Sequence, residues 1–228
     1  MNVALVDKMG TDLTVVNAAR VSYAKESDWD SITPAGPTPG AIKEKDEKLI
    51  KFLAEHNHWS PFAHCSLQFR ISSPIFVARQ LVKHQVGLSW NEISRRYVDY
   101  QPELFEPKTW RGRPKDSKQG SEGVVELNKN EKHILETTMK QCLLIYKNLI
   151  EKGIAPEQAR MVLPQSMMTE WYWSGTLYAF ARVCNLRCAK DTQEETRMIA
   201  NQIDEICDKE FPSSWKYLRS KTKEVIIE

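Results

Sequence analysis

Residues 66–80, SLQFRISSPIFVARQ, constrain the fold more than any other stretch of the chain. Leu67, Phe69 and Ile71 alternate with Gln68 and Arg70, the period of two that a strand shows when one face is buried and the other meets water. Ser73 and Pro74 punctuate the run. Pro74 then suits the first turn of a helix predicted over residues 75–86, where the N–H that proline lacks would be unsatisfied anyway. A half-buried strand followed at once by a helix calls for a domain that mixes the two, with the helix packed back on the sheet.

Other segments fit that plan. After Pro164 the aromatic stretch SMMTEWYW reads as a strand, closed by Ser174 and Gly175, with a helix following to about Cys188. Residues 41–56 read as an amphipathic helix, with Ile42, Leu49, Ile50 and Leu53 set against the KEKDEK charges and a stop near Asn57. Glu131 to Lys152 is a strong helix with Ile134, Leu135, Cys142, Leu143, Tyr146, Leu149 and Ile150 at helical spacing and Gly153 as its cap. Pro156 opens a shorter helix that carries Arg160. Asp191 followed by Glu194 resembles a capping box, and Ile199, Ile203 and Ile206 continue an apolar face until Pro212. Two stretches read as loops: SITPAGPTPG at 31–40, and residues 106–123, where five basic residues among Gly, Pro and Ser make a mobile loop and a candidate lid. No internal repeat or second composition regime divides the chain, so residues 1–228 are expected to form a single domain.

Composition narrows the function classes. Lys plus Arg at 32 against Asp plus Glu at 30 leaves a formal charge of +2, too little for nonspecific nucleic-acid binding to follow from net charge. Any anion site must be local. No apolar run approaches the roughly 20 residues of a membrane helix, and the N-terminus carries no secretory pattern, which points to a cytoplasmic protein. The five cysteines are an odd number and widely scattered, as expected of reduced thiols in a chain able to build its own core.

Three constellations carry candidate chemistry. The segment QLVKHQVGLSWNEISRRY, residues 80–97, concentrates Lys83, His84, Arg95 and Arg96 with Asn91, Glu92 and Ser94, and Gly87 permits a turn in its middle. Guanidinium, ammonium, hydroxyl and amide groups in such a set can hold a phosphate; a solvated helix end is the plainer reading. HNHWSPFAH places His56, His58 and His64 within nine residues, but zinc sites take paired ligands from two arms and no second arm appears, so no metal is expected. With Trp59 and Phe62 those histidines could instead form a surface for a planar heterocycle. Arg160, Arg182 and Arg187 interrupt apolar segments and need partners, either carboxylates or an anionic ligand. Cys184 and Cys188, spaced i, i+4, read as small core residues.

These blocks resemble the flavin-dependent thymidylate synthases. WNEISRRY after the basic helix is similar to the family's signature, an R-H-R triplet followed by Ser, with Lys83, His84 and Gln85 at the triplet and Ser94 as the serine. NAARVSYA at 17–24, H-x-H-x-S-P-F-x-H from His56 to His64, PIFVARQ at 74–80, ARMVLP at 159–164 and NLR at 185–187 resemble family blocks in the family's order.

The resemblance implies an α+β fold with a curved mixed, largely antiparallel sheet flanked by helices. It implies synthesis of dTMP from dUMP, with the methylene from 5,10-methylenetetrahydrofolate, the hydride from FADH2 regenerated by NADPH, and tetrahydrofolate released. It further implies a homotetramer whose subunits share active sites. Carried over by residue, the dUMP contacts are Gln80, Lys83, Glu92, Ser94, Arg95, Arg96, Arg160 and Arg187, and the FAD contacts are Ser22, His58, Ser60, Lys83, His84, Gln85, Glu92 and Arg182. Arg187 and His84 stand at the chemical step. No cysteine nucleophile is implied, and Ser94 is a binding group.

The sequence departs from the family at the triplet. Lys83 keeps a charge but not the planar fork of arginine, Gln85 loses the charge, and Ala63 stands where the family often has Glu. Two rivals follow: a catalytically impaired flavin- or nucleotide-binding homologue, and a nucleic-acid-binding protein using the basic surface of residues 79–96 and the 108–118 loop.

Overall fold

The computed structural model describes residues 1–30 and 41–220, so the proline-rich segment at 31–40 lies outside the described residues. Four strands form one sheet: β1 (Asn2–Met9), β2 (Ser66–Pro74), β6 (Met168–Thr176) and β3 (Leu88–Glu92), in the spatial order β1-β2-β6-β3. Every pairing within it is antiparallel.

The alternation that the sequence shows in β2 decides which face is dry. Leu67, Phe69 and Ile71 are buried, as are Trp171 and Trp173 from β6. Phe69 faces Trp173 and Ile71 faces Trp171 across the ladder. From β3, Trp90 stacks on Trp171 with ring centres 4.3 Å apart. Phe180 of α7 (Leu177–Arg187) meets Phe69 edge-on at 4.9 Å and Trp173 at 5.4 Å. Burying one such ring contributes about 1.5–3 kcal/mol. The other face stays polar, with Gln68 donating to Ser174 at 2.9 Å and Arg70 paired with Glu170 at 2.6 Å. A sheet wetted on one side is what an antiparallel arrangement permits.

Helices α1 (Asp12–Arg20), α2 (Glu44–Glu55), α3 (Ser60–Ala63), α4 (Ile75–Leu81), α7, α8 (Glu194–Glu210) and α9 (Pro212–Ser220) send Val15, Ile50, Phe62, Val77, Phe180, Ile199 and Trp215 into that one core. Asp12 ties the two ends of the chain together, accepting from Ser213 N at 3.0 Å and Ser214 N at 2.8 Å at the start of α9. The anionic side chain satisfies donors that a helix N-terminus leaves free. Helix α5 (Lys129–Glu151) stands outside the core: of its apolar stripe only Tyr146 is buried, and Ile134 is exposed. It starts two residues earlier than the sequence suggests because Asn128 and Glu131 cap each other, at 2.8 and 3.0 Å. Asn57 adopts positive φ at the end of α2, where a stop was expected.

Several expectations are corrected. Pro74 closes β2, paired with Met168, instead of sitting in the first helical turn. Helix α4 ends at Leu81, not near Val86. Gly87, at φ +77, turns the chain so that Leu88 can start β3, and Gly175 opposite has no room for a Cβ, which would lie 2.4 Å from Leu88 Cδ2. Lys83 and His84 therefore lie on a turn and not on a helical stripe. Within residues 106–123 the chain forms β4 (Trp110–Gly112), and it pairs antiparallel with β5 (Glu122–Val125). Helix α8 starts without the Asp191 box; Gln193 is its N-cap residue, and the first-turn Glu194 and Glu195 pair with Arg111 of β4 at 3.2 and 2.5 Å.

Candidate functional site

Three pieces of backbone build the site: the C-terminal end of α4, the turn leading to β3, and the last turn of α7. Gln80 comes from the first, His84 from the second and Arg187 from the third. Arg187 Nε donates to His84 Nε2 at 2.9 Å. A guanidinium can only donate, so Nε2 carries the lone pair and the ring is neutral. Burial, helped by Arg187 and Arg182, pushes the His84 pKa below its ordinary value, and burial also lowers that of Arg187. The sequence left open whether these arginines pair with carboxylates or await an anion; the partner of Arg187 is this imidazole.

Beside the pair lies a cavity of about 570 Å³, lined by Gln80, Arg187, Asn185, Asp191 and Thr192 and reached by Gln119 from the β4–β5 connection. Gln80 Oε1 is buried with no hydrogen-bond partner among the described residues. Such an atom costs free energy until a donor reaches it. The cavity wall thus brings the Arg187 cation together with the amides of Gln80, Gln119 and Asn185 and the acidic Asp191. A second cavity, about 480 Å³, lies between the hairpin and α5, with Phe76, Phe105, Trp110 and Met139 in its wall.

Glu92 is held at the end of β3, its carboxylate accepting from Thr169 Oγ1 at 2.8 Å and Trp90 Nε1 at 3.1 Å. Ser94 Oγ lies 3.4 Å from both N and Nε of the exposed Arg96. Arg95 turns the other way: it is buried over the Tyr100 ring at 4.5 Å and donates to the Tyr100 carbonyl, so its guanidinium is committed to the loop. Arg160 is exposed on a 3₁₀ turn, Arg160–Val162, after α6 (Pro156–Ala159), with Nε donating to Glu157 O at 3.2 Å. Lys83, Gln85 and Arg182 are exposed.

The remaining predicted residues gather elsewhere. Ser22 is exposed on the 3₁₀ turn that follows α1, and His58 and Ser60 are exposed at the start of α3. Trp59 lies 6.4 Å from Tyr178, near the N-terminal end of α7. Nine residues of helix separate Tyr178 from Arg187, about 14 Å at 1.5 Å per residue. His56 stacks on Phe52 at 4.1 Å and its ring centre is 6.4 Å from that of His58. Among the described residues the grouping with metal-ligand geometry is instead Cys184, Cys188 and Asp204.

Sequence reading missed Gln119, Thr192 and Asp191 as cavity walls, since they become neighbours only when the hairpin folds against the start of α8. In the NAARVSYA block, Asn17 and Arg20 prove to be internal. Asn17 brackets Ser27 at 2.8 and 3.0 Å, and Arg20 pairs with the buried Asp46.

A one-sided antiparallel sheet flanked by helices, with an arginine–imidazole pair beside a cavity of about 570 Å³, defines an α+β protein with a candidate ligand site. The profile of the thymidylate synthase complementing protein family (Thy1) matches residues 4–213. The chain is 39% identical over 213 residues to the flavin-dependent thymidylate synthase of Thermus thermophilus, covering 93% of this chain and 73% of that one. It is likewise 39% identical over 216 residues to that of Kosmotoga olearia, covering 94% and 88%. The crystal structure of PolB from Streptomyces cacaoi, a UMP/dUMP methylase bound with 5-Br dUMP, superposes with a TM-score of 0.77 at 29% identity, covering 95% of this chain and 93% of PolB. The chain belongs to the Thy1 family.

Proposed function

We propose that this protein makes dTMP by reductive methylation of dUMP as a flavin-dependent thymidylate synthase, with 5,10-methylenetetrahydrofolate giving the methylene and leaving as tetrahydrofolate. The observation that carries this reading is a half-buried Arg187 in the wall of a cavity, whose hydrogen-bond partner is a neutral imidazole and not, among the described residues, a carboxylate. A nucleotide suits such an arginine, because its base carbonyl and phosphate oxygens accept from a guanidinium. Membership of the family, and the names of the relatives, select dUMP.

In this reading Gln80, Lys83, Glu92, Ser94, Arg96, Arg160 and Arg187 bind dUMP, whereas Arg95 holds the loop that follows Ser94. Arg187 favours the N3-deprotonated uracil. A fixed cation in a site from which water is partly excluded stabilises that anion and raises electron density at C5, which attacks the methylene carbon. His84, neutral and hydrogen-bonded, orients Arg187 without adding a competing positive charge. No thiol is required. Burial pushes the Cys65 pKa up to about 12 and that of Cys207 upward too, so both stay protonated and non-nucleophilic.

The flavin set is Ser22, His58, Ser60, Lys83, His84, Gln85, Glu92 and Arg182. It fits FAD chemically: hydroxyls and cations at exposed positions suit a diphosphate, and a neutral imidazole suits the edge of an uncharged heterocycle. Reduced FAD, when bound, supplies the hydride, and NADPH restores it. The spread of the set over the 3₁₀ turn after α1, the start of α3, the 83–92 segment and α7 supports a homotetramer with shared sites, as do the exposed Val21, Tyr23 and Val86 next to Ser22 and Gln85.

The test is an absorbance experiment on the purified chain, reconstituted with FAD and desalted, then given NADPH, dUMP and methylenetetrahydrofolate without oxygen. Bleaching by NADPH with recovery only as dTMP forms is the expected result. Retained flavin without any dTMP would overturn the synthase reading in favour of a binding homologue; no retained flavin would mean that Lys83 and Gln85 no longer support the cofactor.

A further inference from the structure

The C-terminal turn of α7 faces α8 through a group of side chains that the nucleotide chemistry does not use. Cys184 stands in the last turn of α7 and Cys188, one turn on, caps its C-terminal end, while the Asp204 carboxylate approaches from α8; the two sulfurs and a carboxylate oxygen all lie within 4.8 Å of one another. Cys207, buried one turn beyond Asp204, is close enough to Cys184 for their charges to interact. A Cys-x3-Cys pair thus meets Asp204, and α8 supplies the second ligand arm that a zinc site requires.

We propose that Cys184, Cys188 and Asp204 form a site for one thiophilic divalent cation of the zinc class, with water completing a tetrahedron. This does not rest on the flavin reading of the other site. Ligand type argues for a soft ion: two thiolates beside a single carboxylate select zinc-like metals over magnesium or calcium, which take oxygen shells.

Geometry argues for a metal rather than a disulfide. Residues i and i+4 of a helix have Cβ atoms about 5–6 Å apart, whereas a disulfide needs about 3.5–4.5 Å, so oxidation would have to deform the last turn. Sulfurs that share a tetrahedral zinc at about 2.3 Å each are about 3.8 Å apart, which the helix gives without distortion.

The outer contacts are already set. Asp204 Oδ1 accepts from Trp215 Nε1 at 2.8 Å and from Arg219 Nε at 2.7 Å, which fixes the carboxylate, while Oδ2 has, among the described residues, the longer Arg219 Nη2 contact at 3.4 Å. Metal ligands are typically oriented by such second contacts. Charge also closes. With both thiol protons released to solvent, two thiolates, one carboxylate, the Arg219 guanidinium and a divalent ion sum to zero, so the buried cluster is neutral. Cys188 and Asp204 are half-buried, which leaves an entry path, while Cys184 closes the inner side. Arg187 occupies the same turn, so the ion would tie the arginine's helix end to α8.

The experiment titrates the full-length, reduced, chelator-stripped protein with Co2+ as a spectroscopic probe, after a thiol assay in denaturant has confirmed all five cysteines as free thiols. The expected result is one Co2+ per chain, with thiolate-to-cobalt charge transfer in the near ultraviolet and tetrahedral bands in the visible, displaced by Zn2+. Losing a ligand should weaken binding by more than the 10–100-fold typical of losing an outer partner, so Cys188→Ser should cost at least about 100-fold. Cys142→Ser, on α5, should retain the spectrum. Because Cys184 is fully buried and its variant could misfold, Cys188→Ser carries the test, with a second readout in heat: Zn2+ should raise the Tm of the parent and leave that of Cys188→Ser unchanged. Absence of charge transfer at saturating Co2+, or a spectrum that survives Cys188→Ser, would overturn the site.

Discussion

Arg20 and Arg187 both occupy the last turn of a helix, and both come from blocks that mark the family, yet the protein uses them in opposite ways. Arg20 points at Asp46, which is fully buried; Nε lies 3.0 Å from Oδ1, and Ser27 Oγ closes on Oδ2 at 2.5 Å. Asn17 then satisfies both backbone groups of Ser27. Each charge and dipole there has its complement, and no ligand is called for. Arg187 meets a neutral ring and, among the described residues, no carboxylate. A guanidinium that is half-buried without a counter-charge is destabilising in the free protein and becomes favourable when an anion arrives. The difference is invisible in residue type or helix position and legible only in the partner.

The largest expected effect comes from removing the uncompensated cation. Arg187→Ala should lower turnover about 10²–10³-fold, the range for deleting one preorganised oxyanion-stabilising group, while the Tm stays near that of the parent because no ion pair is lost. Rapid-quench measurement of dTMP alongside a thermal melt checks both halves. If stability collapsed with activity, Arg187 would be a structural residue like Arg20 and the contrast would fail.

Arg20→Ala should show the converse. It strands the Asp46 carboxylate in the core, and breaking a buried pair from one side costs about 3–5 kcal/mol; with Arg20 itself partly exposed, about 3 kcal/mol is expected. Urea unfolding reads that loss directly. Activity per folded molecule should remain, and a selective loss of turnover with normal stability would reverse the assignment.

How far the sequence carries varies with the kind of information needed. Strand β2 and the aromatic strand β6 were legible because a period of two survives in the residues themselves, as in Leu67, Phe69 and Ile71. Strand β3 was not. Its five residues are mostly exposed, and their pairing depends on Gly175 leaving room for Leu88, a contact 87 positions away in the chain. Strand β1 and helix α9 were missed for a similar reason: each is placed by remote partners, Ser66 to Ser72 for the strand and Asp12 for the helix. At the site, residue types announced a cationic cluster, but nothing local shows that Arg187 reaches His84 across 103 positions, or that Arg95 turns inward while Arg96 does not.

The smallest expected effect sharpens the comparison through pH. His84 is neutral in the folded protein because burial, and then Arg187 and Arg182, push its pKa below the ordinary 6.5. In the unfolded chain the ring titrates near 6.5, so on acidification the unfolded state takes up its proton first. The stability associated with the neutral ring is therefore complete above about pH 6.5 and declines as the pH falls toward the folded-state value. Since the ring is only half-buried, solvent screening keeps the effect small, at most about 2–4 °C in Tm for a chain of this size. Thermal melts of the parent and His84→Gln between pH 5 and 8 separate this from carboxylate titration, which both proteins share. The parent should lose a few degrees more than the variant on the acid side. Equal slopes would mean that a charged imidazole is tolerated beside Arg187, and that the site is less starved of negative charge than its geometry indicates.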